Sequence, residues 1–96
     1  MKYKITSQAK SDLIEIWEYT KNKWSIKQAD LYYQKITDKF NNINQHPNIG
    51  KSYDQLRSGY RGLPVKSHII FYRIDHNNII EIIRVLHQSM DIEQRL

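Results

Sequence analysis

Ninety-six residues, 40% hydrophobic and 26% charged, make one domain with one modest core, within the size range that folds alone. Zero cysteines exclude disulfides, thiol catalysis and Cys-type zinc sites, and no apolar run approaches the roughly 20 residues of a membrane span. Fifteen Lys and Arg against 10 Asp and Glu give a net charge of +5, which suits an anionic partner: nucleic acid, an acidic protein, or a complex of both.

Residues 2–5 alternate polar and apolar like a short strand. The N-terminal stretch lacks the apolar centre of a signal peptide, so a cytoplasmic protein is the simplest expectation. Thr6 or Ser7 offers an N-cap. Ala9, Leu13, Ile16 and Thr20 then recur at intervals of four, three and four and lead on to Trp24, which predicts an amphipathic helix of about four turns. Its opposite face carries Lys10, Glu15, Glu18 and Lys21, and Trp17 lies beside the buried stripe. Both Trp17 and Trp24 read as packing residues. Ser25 followed by Gln28 has the form of a capping box, so a second helix starts at once, with Ala29, Tyr32, Ile36, Phe40 and Ile43 as its buried stripe. Pro47, after His46, stops it. So short a joint makes the two helices an antiparallel hairpin.

From residue 48 onward the period is two. Gly50, Gly59, Gly62 and Pro64 punctuate a loop and a strand near residues 60–65. His68–Ile74 and residues 79–86 read as strands joined by a tight turn at 75–78. Strict alternation puts Ile80, Ile82 and Leu86 on one face of the last strand and Ile79, Ile83 and Val85 on the other, so it lies inside a sheet covered on both sides. Residues 90–96 form one helical turn capped by Asp91, with Gln94 three residues later. The order β-α-α-β-β-β predicts an α+β fold, a helical hairpin on a small, mainly antiparallel sheet, as a single domain over residues 1–96.

The residues that carry chemistry leave two readings open at most positions. Arg61, Arg73 and Arg84 are either a cationic patch on one sheet face or charges paired within the sheet to Glu81 and Asp75. His68 reads as a satisfied histidine bonding backbone near the 66–67 turn, and Tyr72 as core. The segment from Gly59 to Pro64 lacks the spacing of a phosphate-cradling loop. Four histidines without an HxxxH or HExxH pair point to no metal site. His87, ending the last strand, is either a hydrogen-bonded edge residue or a catalytic acid.

Taken together, Ala9, Asp12-Leu13 and Ile16; Trp24, Gln28-Ala29 and Tyr32; Phe40; Pro47, Gly50-Lys51-Ser52; Gly59-Tyr60-Arg61; the HIIFYR run from His68; and the RVLH run from Arg84 with Met90-Asp91 resemble the ParE toxins of the RelE/ParE superfamily of bacterial toxin–antitoxin systems. The resemblance implies the toxin of a type II system, without a cofactor, that poisons DNA gyrase on cleaved DNA. Its implied partners are a ParD-like antitoxin, the gyrase–DNA complex and, through the antitoxin, operator DNA. The C-terminal segment of such toxins is associated with action on gyrase, which implies target binding by Arg84, His87, Met90 and Asp91. Leu13, Trp17, Arg61 and Arg73 are the expected docking points for the antitoxin.

RelE-like relatives instead cut mRNA in the ribosome. That alternative would use His87 as acid, Arg84 or Arg73 as phosphate clamp and Asp54 as base. Ile69, however, follows His68 where some cleaving relatives carry arginine, so no catalytic residue is expected. A third alternative is a non-toxic remnant that acts as a co-repressor.

Overall fold

The computed structural model describes residues 3–96; Lys2, the first residue of the expected N-terminal strand, lies outside them. Strand β1 (Tyr3–Ile5) leads through an extended Thr6 into α1 (Ser7–Lys23). Thr6 is the N-cap. Its Oγ1 accepts from the Ala9 amide at 3.0 Å and donates to the Ile83 carbonyl at 2.8 Å, so one hydroxyl starts the helix and ties it to the sheet. Helix α2 (Ile26–Gln45) begins on Ser25, whose Oγ accepts from the Gln28 amide at 3.1 Å, and ends at His46 before Pro47. The hairpin is crossed by Trp17, whose Nε1 donates to Asp30 Oδ1 at 2.9 Å.

Four further strands follow: β2 (Lys51–Ser52), β3 (Arg61–Val65), β4 (His68–Ile74) and β5 (Ile80–His87), before a terminal turn of helix, α3 (Ile92–Arg95). The sheet order is β1-β5-β4-β3-β2; β1 runs parallel to β5 and every other pairing is antiparallel. The two-residue β2 was not anticipated, because a strand that short has no period to read. The hairpin turn at 75–78 is built by Asp75, whose Oδ1 accepts from the Asn77 and Ile79 amides, with Asn78 at φ +62°.

The helical stripes meet the sheet through Ala9, Leu13, Ile36, Phe40 and Ile43 against Ile70, Tyr72, Ile80, Ile82 and Val85. Here the expected parity of β5 fails. Phe71 stands opposite Arg84 but Tyr72 opposite Ile82, so Ile83 is an extra residue, a β-bulge. Val85 therefore joins Ile80 and Ile82 under the helices, while Leu86, opposite Ile69, turns to the far face with Phe71. Cover on that far face comes from Tyr53, stacked edge-on to Phe71 at 5.0 Å. Gly62 lies beneath the same ring: a Cβ there would meet Tyr53 Cε1 at 2.6 Å.

Candidate functional site

Strands β4 and β5 end side by side with His68 opposite His87, and their rings meet edge to face with centroids 5.1 Å apart. Contrary to expectation, the partner of His68 is not the 66–67 backbone. Its Nδ1 lies 2.7 Å from Tyr32 Oη on α2, and Tyr32 also donates to the Val65 carbonyl at 3.1 Å. Both contacts are satisfied when His68 Nδ1–H donates to Tyr32, which leaves Nε2 unprotonated. In His87 the roles reverse: Nδ1 accepts from the Ser89 amide at 3.1 Å and lies 2.7 Å from Ser89 Oγ, so Nε2 carries the proton. The hydrogen-bond network thus assigns complementary tautomers to two touching histidines. Burial, reinforced by the neighbouring His87, lowers the His68 pKa to about 4 and keeps its ring neutral at physiological pH.

Beside the pair lies a hollow of about 470 Å³, walled by Ile16 and Tyr19 of α1, Val85 of β5 and Met90 of the tail. Asp12 and Glu15 stand at its rim. Asp12 is fully engaged: it accepts from Arg84 Nε at 2.8 Å, from Arg84 Nη2 at 2.9 Å and from the Val85 amide at 3.0 Å. Arg84 Nη1 reaches on to the Arg95 carbonyl at 3.1 Å, so the same guanidinium fastens the C-terminal turn. Asp91 caps that turn, accepting from the Gln94 amide at 3.4 Å. Of the four positions expected at a target surface, His87, Met90 and Asp91 cluster at this end of the sheet, whereas Arg84 is turned inward as a clamp.

The other expected positions scatter. Leu13 is 5% exposed and packed in the core, because the buried face of α1 is centred on it; it offers no docking surface. Trp17 is half-buried against Asp30. The three arginines do not form one patch: Arg61 donates to the Gly50 carbonyl at 2.7 Å, Arg73 pairs with Glu81 at 2.8 Å, and Arg84 with Asp12. Asp54 accepts from the Gly59 amide in the loop after β2, three strand spacings, roughly 14 Å, from β5. Trp24, expected to pack, is 70% exposed at the hairpin tip. Asp12, Tyr19 and Tyr32 also belong to the site: Asp12 figured in the sequence only through the family resemblance, Tyr32 through that resemblance and the α2 stripe, and Tyr19, exposed and outside both, carried no signal. Among the described residues, no cluster of three or more metal-ligating side chains exists, and no helix is long and apolar enough to cross a membrane.

The profile of a family described as "ParE toxin of type II toxin-antitoxin system, parDE" matches residues 3–92. Toxin ParE1 of Mycobacterium tuberculosis is 36% identical over 95 residues, which cover 99% of this chain and 97% of the relative. Toxin ParE1 of Caulobacter vibrioides is 39% identical over 94 residues, covering 98% and 96%. Among solved structures, a chain of the "Chromosomal ParDE TA system from P. aeruginosa" superposes with a TM-score of 0.79 at 22% identity, over 91% of this chain and 95% of that one; at that identity the likeness is one of fold.

Proposed function

The chain belongs to the ParE toxin family of type II toxin–antitoxin systems, and from that premise we propose that it poisons DNA gyrase by contact, binding the enzyme–DNA complex and favouring the cleaved over the resealed state. Such a shift needs only tighter binding to one state than to the other. The observation that supports contact is the commitment of the RNA-cleaving candidates elsewhere: Arg84 to Asp12, Arg73 to Glu81, Asp54 to the Gly59 amide. His87, Met90 and Asp91 would then form the target-facing end. Purified gyrase, plasmid and ATP should yield linear DNA with trapped protein when the toxin is added.

A ParD-like antitoxin is the proposed partner. Its segment would fill the hollow beside His87, where Ile16, Tyr19, Val85 and Met90 offer apolar wall to a chain that folds on binding. Trp17, Arg61 and Arg73 keep partial exposure and remain proposed contacts. Operator DNA would be reached through that antitoxin.

A second reading, a ribosome-dependent mRNA endonuclease, is favoured by one feature: two touching histidines, His68 and His87, whose hydrogen bonds leave one Nε2 unprotonated and the other protonated. It predicts new mRNA ends in a translating extract, abolished by His87→Gln with the fold intact.

A further inference from the structure

A second groove, of about 710 Å³, adjoins the first at Tyr19, His68 and His87 and opens between the tip of the helical hairpin and the β3–β4 turn. Its charge is one-sided. Lys23 of α1, Lys35 of α2 and Lys66 of the turn line it, and no carboxylate among the described residues does. None of these lysines forms an ion pair among the described residues, where the three ion pairs lie at Lys4, Arg73 and Arg84. A cationic surface left without internal anions is one that an external anion can neutralise.

Rings are set among the lysines. Tyr19 and Trp24, 64% and 70% exposed, flank the opening, and Tyr32 stands deeper with its hydroxyl bonded to Val65. Lys23 lies one helical turn beyond Tyr19, its Nζ donating to the tyrosine hydroxyl at 3.2 Å, so an ammonium is held at the hydroxyl edge of an exposed ring and leaves the ring's faces open. Trp24 is where α1 ends: its amide bonds the Thr20 carbonyl and the chain then leaves the helix, which puts the indole at the tip. Two large exposed rings lining one groove offer apolar faces on which a flat ligand can stack.

We propose that this groove binds single-stranded nucleic acid directly, with bases stacked on Trp24 and Tyr19 and phosphates held by Lys23, Lys35 and Lys66. The inference does not depend on gyrase being the target. Alternating rings and cations are the elements by which sequence-tolerant single-strand sites work, since every base has a stacking face and every nucleotide a phosphate. An acidic amphipathic peptide is the competing occupant of a basic groove, but helix-in-groove docking takes a run of aliphatic anchors. Leu31 is the one aliphatic side chain lining this groove among the described residues. Duplex DNA is disfavoured too, because its bases are already stacked and could not use the rings.

The test is fluorescence anisotropy of a labelled oligothymidylate of about 12 nucleotides with the antitoxin-free toxin. Three phosphate contacts at about −0.7 each give an expected log–log salt slope of roughly −2. Trp24→Ala should weaken binding about tenfold, the loss of one stacked base, with the circular dichroism unchanged. Lys23→Gln with Lys66→Gln should weaken binding and flatten the slope to about −0.7. Lys10→Gln with Lys27→Gln removes the same charge from exposed positions outside the groove and should leave affinity near the parent value. Equal losses in the two charge-matched doubles would overturn the site in favour of diffuse attraction. So would a Trp24-dependent complex with a glutamate-rich peptide in the absence of any with the oligonucleotide.

Discussion

Asp12 and Arg84, 72 residues apart in the chain, clasp each other through two parallel hydrogen bonds of 2.8 and 2.9 Å. The pair is mostly withdrawn from water, with side chains 11% and 16% exposed. Asp12 also takes the Val85 amide just past the bulge, and Arg84 takes the Arg95 carbonyl. One ion pair therefore joins α1, the irregular stretch of β5 and the C-terminal turn.

Removing either partner strands the other in a poorly hydrated place. Asp12→Ala and Arg84→Ala should each destabilise by about 2–3 kcal/mol, below the range for fully buried pairs because some exposure remains. The double variant should lose less than the sum, by roughly 1–2 kcal/mol of coupling. Denaturant unfolding of the four proteins of the cycle checks this, and strict additivity would mean that the pair does not act as a unit.

Tyr72 spans the sheet to the loop that follows α2. Its hydroxyl donates to the Pro47 carbonyl at 2.7 Å and accepts from the Gly50 amide at 2.9 Å. Only a residue without Cβ fits there, since a Cβ on Gly50 would lie 2.7 Å from Tyr72 Oη. Tyr72→Phe leaves both backbone groups without that partner and should cost about 1–3 kcal/mol. Thermal unfolding with an unchanged melting temperature would show that water replaces the hydroxyl.

Much of this was legible in the amino-acid sequence, and the failures have local causes. The helix caps at Thr6 and Ser25, both helical stripes, the whole of His68–Ile74 and the Asp91 cap follow from periodicity and side-chain chemistry. Faces on β5 were misassigned from Val85 onward because a bulge shifts parity without a residue type that announces it. For the three arginines the sequence leaves a patch and intrasheet pairing equally open, because strand position is readable whereas the acceptor each one finds, Glu81 for Arg73, Asp12 for Arg84 and the Gly50 carbonyl for Arg61, depends on register and tertiary packing. Trp24 continued a helical stripe in sequence, but the helix ends at Lys23, before that face meets anything. The Tyr32–His68 bond joins α2 to the sheet across 36 residues, and nothing local foretells it.

His68 makes stability depend on pH in a defined window. Its pKa falls from 6.5 to about 4 on folding, so between those values the unfolded chain binds more protons and stability rises with pH. The contribution is complete above pH 6.5 and lost as pH drops towards 4; allowing for the ring's partial exposure it is on the order of 1–2 kcal/mol. In His68→Gln the melting temperature should vary less across this window. Below it, Asp75 takes over: Lys4 and the Ile79 amide hold its carboxyl down at about 2, and that support disappears as pH falls from 3.8 towards 2.

The C-terminal turn can be separated from folding. No residue of α3 is fully buried; the Arg84–Arg95 hydrogen bond and the partly buried Ile92 and Leu96 tie the turn to the body, and Asp91 caps it. Deleting residues 92–96 should lower stability by only about 0.5–1.5 kcal/mol while reducing action on gyrase severalfold. Parallel melting and DNA-cleavage measurements decide it; intact potency would show that residues 92–96 are not needed to hold His87, Met90 and Asp91 in place at the proposed target surface.

The proposed contact with a DNA-bound machine is tested most directly by one assay. Folded toxin added in excess to gyrase, supercoiled plasmid and ATP, then quenched with detergent, should convert plasmid to linear DNA covalently attached to gyrase, with mRNA in a parallel translating extract left whole. Unchanged supercoiling and no linear product, together with fresh mRNA ends that vanish in His87→Gln, would contradict it.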